Sequence, residues 1–521
     1  MTIASGVLRG SSKSPRIALG PFALFFLAFM FTPKAHAAGV VGVCDEAHFL
    51  AAVAGGGSVT FSCSGTISLT HTVNIGANTI IDGTGQSVTF TDGGASNLFF
   101  VAQGCPADSP CTLEMRYVSL TNAKDSAIQN LLGTVLVVRT TFMNNSSAGS
   151  GGAINNDQGS VTVGECTFIH NSSITGGAIA NSKSSDSVLV VVRSTFSLNS
   201  AEVGGAIYNE GVMTIYTSTL SLNTAKVNGG NIAHLGVPLF SFARIEDSTL
   251  SQGQAAQGHG SNIFSQGAPV GVINTIMANP IGSGNCDGPI SDLGDNLQWP
   301  LSPFPCVGTI ADPKLGVLAS NGGPTQTLAL QPGSAAIDKT LVCGASDQRG
   351  ILRPQGPHCD IGAYEVIPNM TGMISEIGQF MMNFLPNLPK AGAGKLTQQA
   401  IEPLSNSLNP ALWQGADGNH LNPQRGQQLF DLHRKVVDNL SELIVGQTQL
   451  DYISNLLFAD RTLAVVAMGD AGCVITPTPA APPSAKCAEA AKDLLNGDGK
   501  AAAGDYGAAI DSYRAAWGDG T

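Results

Sequence analysis

A two-part unit recurs between residues 130 and 280. Its first half is Phe-x-x-Asn or a close relative: Phe142 with Asn145, Phe168 with Asn171, Phe196 with Asn199 and Leu220 with Asn223, continued by Leu250 and by Ile276 with Asn279. Its second half is Gly151-Gly-Ala-Ile154, Gly176-Gly-Ala-Ile179 and Gly204-Gly-Ala-Ile207, decaying to Gly229-Gly-Asn-Ile232 and Gly260-Ser-Asn-Ile263. The aromatic or aliphatic positions are spaced 26, 28, 24, 30 and 26 residues, and the isoleucines 25, 28, 25 and 31. A period in this range, with short alternating segments and no helical pattern inside it, marks a β-solenoid. Each unit is one coil, too small to bury its own apolar face, so stacking supplies the core.

Strand alternation then assigns columns. Phe142, Phe168, Phe196, Leu220, Leu250 and Ile276 point inward. The threonines one residue earlier, from Thr141 to Thr275, form an outward ladder. Two residues earlier come Thr140, Cys166, Ser194, Ser218, Ser248 and Asn274, small and inward, which makes Cys166 a buried filler. Arg139, Glu165 and Arg193 are expected as an outward, alternating ion ladder on the surface, fixing register. Asn145, Asn171, Asn199 and Asn223 line a turn, their amides bonding along the stack. The glycine pairs supply backbone conformations that branched residues avoid.

Phe-x-x-Asn alternating with Gly-Gly-Ala-Ile resembles the repeats of polymorphic outer-membrane proteins and of right-handed parallel β-helix proteins with a pectin-lyase-like fold. The resemblance implies an all-β right-handed parallel β-helix, followed here by a C-terminal α-helical tail. Residues 44–90 read as its start, with a short amphipathic helix from Asp45 to Ala54 capping the open end. Residues 272–366 carry Asn321-Gly-Gly-Pro324, Pro332-Gly-Ser-Ala-Ala-Ile-Asp338, Asp347-Gln-Arg-Gly-Ile-Leu-Arg-Pro354 and Cys359-Asp-Ile-Gly-Ala-Tyr-Glu365. That order resembles the end of bacterial choice-of-anchor Q surface proteins, which implies an exported chain and no settled reaction.

The N-terminus fits export. Arg9, Lys13 and Arg16 precede the apolar run IALGPFALFFLAFMF, then Ala35-His-Ala37, the layout of a signal peptide spanning 1–37 and cleaved after Ala37. No later stretch reaches the roughly 20 apolar residues of a membrane-spanning helix. Cleavage leaves 21 basic against 37 acidic residues, a balance that argues against nucleic acid as partner. Ten of the 11 cysteines fall into neighbours along the chain: Cys44/Cys63, Cys105/Cys111, Cys286/Cys306, Cys343/Cys359 and Cys473/Cys487. Sequence alone does not fix their connectivity, but local pairs suit a fold with local contacts and an oxidising destination.

The β-helix is therefore expected over 38–366, a helical region over 367–475, a Pro-rich linker over 476–486 and a tetratricopeptide-like helical hairpin over 487–521. Leu429, Leu432, Val436, Val437, Leu440, Leu443 and Ile444 follow helical spacing. They form a face that either packs within the tail or binds an anchoring partner. Asn496, Asp498 and Asp505 match part of a calcium loop, although Leu494 stands where its first ligand belongs.

Chemistry is sparse. Gly258-His259-Gly-Ser261 is similar to part of a polygalacturonase signature, but the chain has no Asp-Asp pair and no Arg-x-Lys, and glycoside hydrolysis needs paired carboxylates. Asp157, Asp186 and Glu210 are scattered acids near the glycine strands. No zinc-type cysteine/histidine spacing, nucleophile elbow or phosphate loop occurs. The expectation is a secreted or cell-surface, non-catalytic, adhesin-like module without cofactor or metal, binding polysaccharide or a cell-surface macromolecule. A polysaccharide lyase or hydrolase of the same fold is the alternative.

Overall fold

A computed structural model of the protein describes residues 39–105, 109–182, 187–237, 241–301, 306–351, 353–384, 393–415, 418–442, 447–471, 473 and 485–519. The expected leader with Ala37, the tail residues Leu443 and Ile444, Asp186 and most of the proline-rich linker lie outside them.

The chain folds as a parallel β-solenoid followed by helices. Three sheets run along the stack: sheet I and sheet II have 11 strands each and sheet III has 10. One coil shows the plan. Ser160–Gly164 lies in sheet I, Thr167–Ile169 in sheet II and Ile179–Ser182 in sheet III. Parallel pairing keeps equivalent residues in register, Phe142 with Phe168 with Phe196 with Leu220. Coils therefore repeat at about 4.8 Å. The Phe142, Phe168 and Phe196 rings stack with centroids 4.6 and 4.5 Å apart. Regular coils begin before residue 130: sheet I starts at Gly39–Val41. Helix α1 (Glu46–Val53), N-capped by Asp45, covers that end, and its buried Phe49 meets Phe61, Phe90 and Phe99.

Buried amides brace the interior. Asn145, Asn171 and Asn199 each donate Nδ2 to the next Oδ1 in the series, at 3.0, 2.9 and 2.9 Å, ending on Asn223. The ladder then continues through Asn231, Asn262 and Asn285. Leu250 is followed three residues on by Gly253 instead of asparagine, so the Gly-Gly-Asn-Ile variant supplies the missing amide. A second ladder, Asn130, Asn156, Asn181 and Asn209, ends on His234. It occupies the residue two beyond each repeat isoleucine.

The last repeat is shifted by one residue from the sequence reading. Ile276 pairs with Thr249, and Met277 takes the inward place beside Leu250. Asn274 sits in the left-handed corner column (φ 47) with Arg139, Glu165 and Arg193, a conformation asparagine tolerates well. Asn279 is exposed at φ 51 and stands outside the ladder.

Five cysteine pairs lie at disulfide distance: Cys44–Cys63, Cys105–Cys111, Cys286–Cys306, Cys343–Cys359 and Cys473–Cys487. Cys166 is buried. Its Sγ accepts from Thr140 N, and burial pushes its thiol up to about 12, as expected of an inert filler.

Residues 312–366 turn back over sheet II as a cover that includes a hairpin, Leu315–Ala319 with Thr327–Leu330. The threonine ladder is consequently not a solvent face. Thr195 and Thr219 are fully buried and Thr249 is 1% exposed. Outward Ile276 is apolar for the same reason, clustering with Leu330, Ala336 and Ile361 of the cover.

The tail is a helical bundle with its own apolar core: α2 (Met370–Phe384), α3 (Ala393–Ser407), α4 (Gln427–Glu442), α5 (Gln447–Asp470), α6 (Ala485–Ala502) and α7 (Tyr506–Asp519). Ala485 and Lys486, expected in the linker, already belong to α6. The apolar face of α4 is not open to a partner. Leu429, Phe430, Val436, Val437 and Leu440 are buried in one core with Ile510, Tyr513 and Trp517 of α7, and Arg514–Asp431 bridges the rim at 2.8 Å. Asp498 lies within α6, bound by Arg461 and Tyr513, so the calcium-loop reading fails.

Candidate functional site

The motif residues of 321–365 converge, and what they build is a clasp. Asp347 Oδ1 accepts from Arg349 N and Ile351 N, while its Oδ2 accepts from Glu365 N. The Arg349 guanidinium donates to Asp347, Asn321 O and Glu365 O and stacks on Tyr364, Cζ lying 3.7 Å from the ring centroid. Gln348 reaches the solenoid. Its Nε2 donates to Thr195 and Thr325 at 2.9 Å, and its Oε1 accepts from Thr219 at 2.6 Å. Arg353 is fully buried at its side chain between Asp247 of the solenoid and Glu365 of the cover.

Burial dominates the acids here. It pushes Glu365 up to about 7, with Arg353 pulling back, and Asp360 up to about 6. Both carboxylates accept backbone N–H groups: Glu365 from Gln355 and Asp360, and Asp360 from Asp338 and Val366. Every conspicuous polar group of these motifs thus satisfies another part of the fold.

The ion ladder exists, but under cover. Arg139 Nε lies 2.6 Å and Arg193 Nη2 2.5 Å from Glu165. Glu165 and Arg193 are 4% and 5% exposed, so the ladder is a buried corner strut, not a surface feature. Beside it, a cleft of about 670 Å³ opens between cover and bundle, lined among others by Arg139, Asn321, Arg349, Tyr364, His420 and Asp470. Its arginines are already engaged by Glu165 and by Asp347, so it offers no unbound cationic centre of their making.

A serine–histidine–aspartate constellation that the sequence reading missed lies in the bundle. His433 Nδ1 is 2.6 Å from Asp460 Oδ1, and His433 Nε2 is 3.0 Å from Ser407 Oγ. Its proton direction is wrong for nucleophilic catalysis. Ser407 Oγ donates its one hydrogen to Leu404 O at 2.7 Å, so the imidazole donates to serine. A general base must instead accept the serine proton. All three residues are fully buried, and burial raises the Asp460 carboxyl while His433 lowers it. The group ties α3, α4 and α5 together. A histidine within the amphipathic α4 was the only hint of it in the sequence.

His259 Nδ1 stands 3.6 Å from Asp287 at an exposed glycine turn, and Glu210 accepts from Tyr208 Oη at 2.6 Å. Neither belongs to a carboxylate pair. Among the described residues, no three His, Cys, Asp or Glu converge as metal ligands, and no helix is long and apolar enough to cross a membrane.

Among the described residues, the long faces of sheets I and III remain outward, beside a short three-stranded sheet of Ser200–Val203, Thr224–Asn228 and Gln254–Ala255. On sheet I the outer columns carry Leu136, Val188, Val190, Val192, Val212, Tyr216 and the 49%-exposed Phe242. Ion pairs Glu114–Arg116 and Arg244–Glu246 stand toward its two ends.

The Chlamydia polymorphic membrane protein repeat family matches residues 139–157 and 193–210. The matched segments carry the ladder positions Phe142, Asn145, Phe196 and Asn199. The chain is thus a β-helix repeat protein with repeats similar to that family. No curated protein and no solved structure gave a significant match.

Proposed function

We propose that the protein is an exported, adhesin-like surface β-helix that works by binding, holding polysaccharide or another surface macromolecule along its outer faces. One observation carries this reading: the motif-bearing polar residues are consumed in the clasp, while sheets I and III present long, regular outer columns rich in aliphatic, aromatic and amide groups. Apolar and aromatic groups repeated along an outer face are the kind of surface that interactions use. The choice-of-anchor-like cover and the helical tail then serve attachment to the cell.

Purified mature protein incubated with a polysaccharide panel and a glycan array tests the reading. Binding without release of reducing or unsaturated ends is expected. Release of such ends would establish a lyase or hydrolase instead, and absence of any binding would remove the adhesin-like reading.

A further inference from the structure

The outer central column of sheet III reads Asn74, Phe100, Gln129, Asn155, Ala180, Tyr208, Ala233, Phe264 and Asp287, each paired in register with the next. Three features distinguish it from an ordinary solvated sheet face. The aromatic residues fall at even coil separations, four coils from Phe100 to Tyr208 and two from Tyr208 to Phe264. Ala180 and Ala233 are fully buried on either side of the partly exposed Tyr208, so the aromatic residues and not the alanines supply the accessible surface there. The Tyr208 hydroxyl is held by Glu210 at 2.6 Å and Asn155 Nδ2 by Gln129 at 3.0 Å, which fixes both groups in place.

We infer that this column is a binding track for one strand of a neutral, extended β-linked polysaccharide running parallel to the solenoid axis. The inference rests on the binding reading above and specifies its face and ligand class. Two coils span roughly 9.6 Å, close to the disaccharide repeat of an extended β-1,4-linked chain, in which alternate sugars present the same face. Phe100, Tyr208 and Phe264 therefore meet like faces of sugars that are whole disaccharides apart, two from Phe100 to Tyr208 and one from Tyr208 to Phe264, and each ring offers an apolar platform with a π-face. Gln129, braced by Asn155 Nδ2, lies between Phe100 and Tyr208, where its amide can bond a ring hydroxyl. Charge selects the class. The chain is net −12, and Asp287 is the only carboxylate and the only Asp, Glu, Lys or Arg in the column, so an acidic polysaccharide is repelled and a neutral one is not.

The test is calorimetric titration of the mature full-length protein with cello-oligosaccharides and xylo-oligosaccharides of increasing length. Affinity should rise until the chain spans Phe100 to Phe264, six coils or roughly 29 Å. Tyr208→Ala and Phe264→Ala should each lower it about tenfold, and Tyr208→Phe should restore it. Leu495→Ala, at a 67%-exposed position of α6 away from both sheet faces, should leave it unchanged. Tyr208→Leu, which keeps the apolar bulk without the ring, separates stacking from folding: binding at wild-type strength by a folded Tyr208→Leu protein would overturn the track. Binding of other glycans that is indifferent to Tyr208 and Phe264 would overturn the track and leave the broader reading standing. Failure of the wild type to bind any polysaccharide on the panel removes both.

Discussion

Asn199 sits where the cost of losing one side chain is highest. Its Nδ2 donates to Asn223 Oδ1 and Phe168 O, and its Oδ1 accepts from both N and Nδ2 of Asn171. Asn199→Ala strands several buried donors and acceptors at once, each worth about 1–3 kcal/mol when left unmade. Its melting temperature should fall by many degrees, whereas Thr167→Ala, partly exposed in the neighbouring coil, should move it little. Equal effects would contradict the ladder. Glu365 shows the opposite economy, a buried acid whose folded-state pKa is raised to about 7 by burial. A raised carboxyl pKa gives stability that is complete below the unfolded carboxylate range and is lost as pH rises through the folded value. Glu365→Gln cannot accept both the Gln355 and Asp360 N–H groups, so it should be less stable at about pH 5. It should also lose less stability than the wild type on going to about pH 8. Parallel melting curves across that range would contradict the assignment.

At the scale of elements, the cover is the part that the repeat pattern hid. Strand alternation placed the threonine column outward, and outward it is, but Gln348, Gln326 and Ala363 bond to it. Nothing in a period of 24 to 31 residues announces a layer arriving from more than a hundred residues downstream. The local clues lay in departures from the repeat. Ile276 stands in the threonine column because it faces apolar cover residues, and Asn231 and Asn262 replace alanine because the turns that follow them carry Gly253 and Pro280 in place of the ladder asparagine. The solenoid and the first asparagine ladder were legible because each coil restates the same constraint. The clasp was not, since its ion pairs join segments with no shared period. Ile276→Thr restores the repeat consensus while deleting the contact with Leu330, Ala336 and Ile361, a loss of about 1–3 kcal/mol. Limited proteolysis should then cut within 312–366 faster, with the solenoid still protected. Unchanged protection would show that the polar clasp alone holds the cover.

For the whole molecule, the question is which parts stand alone. The solenoid core from Val41 to Cys306 and the bundle core from Met370 to Trp517 are separate apolar clusters, and solenoid stability is a sum over neighbouring coils. The bundle approaches the cover at the cleft, where Ile351, Tyr364 and Val366 face Val465, Val466 and Gly469. That contact is modest beside the clasp, in which Arg353 and Gln348 join cover to solenoid with no help from the bundle. A chain ending at Ile367 should therefore remain soluble, keep a β-rich circular-dichroism spectrum without the helical signal, and bind polysaccharide as the full chain does. Aggregation of the truncated chain would make the bundle a structural lid for the cover. Lost binding with an intact β spectrum would move the ligand site from the solenoid faces to the cleft, where Asn321, Tyr364 and His420 line the wall.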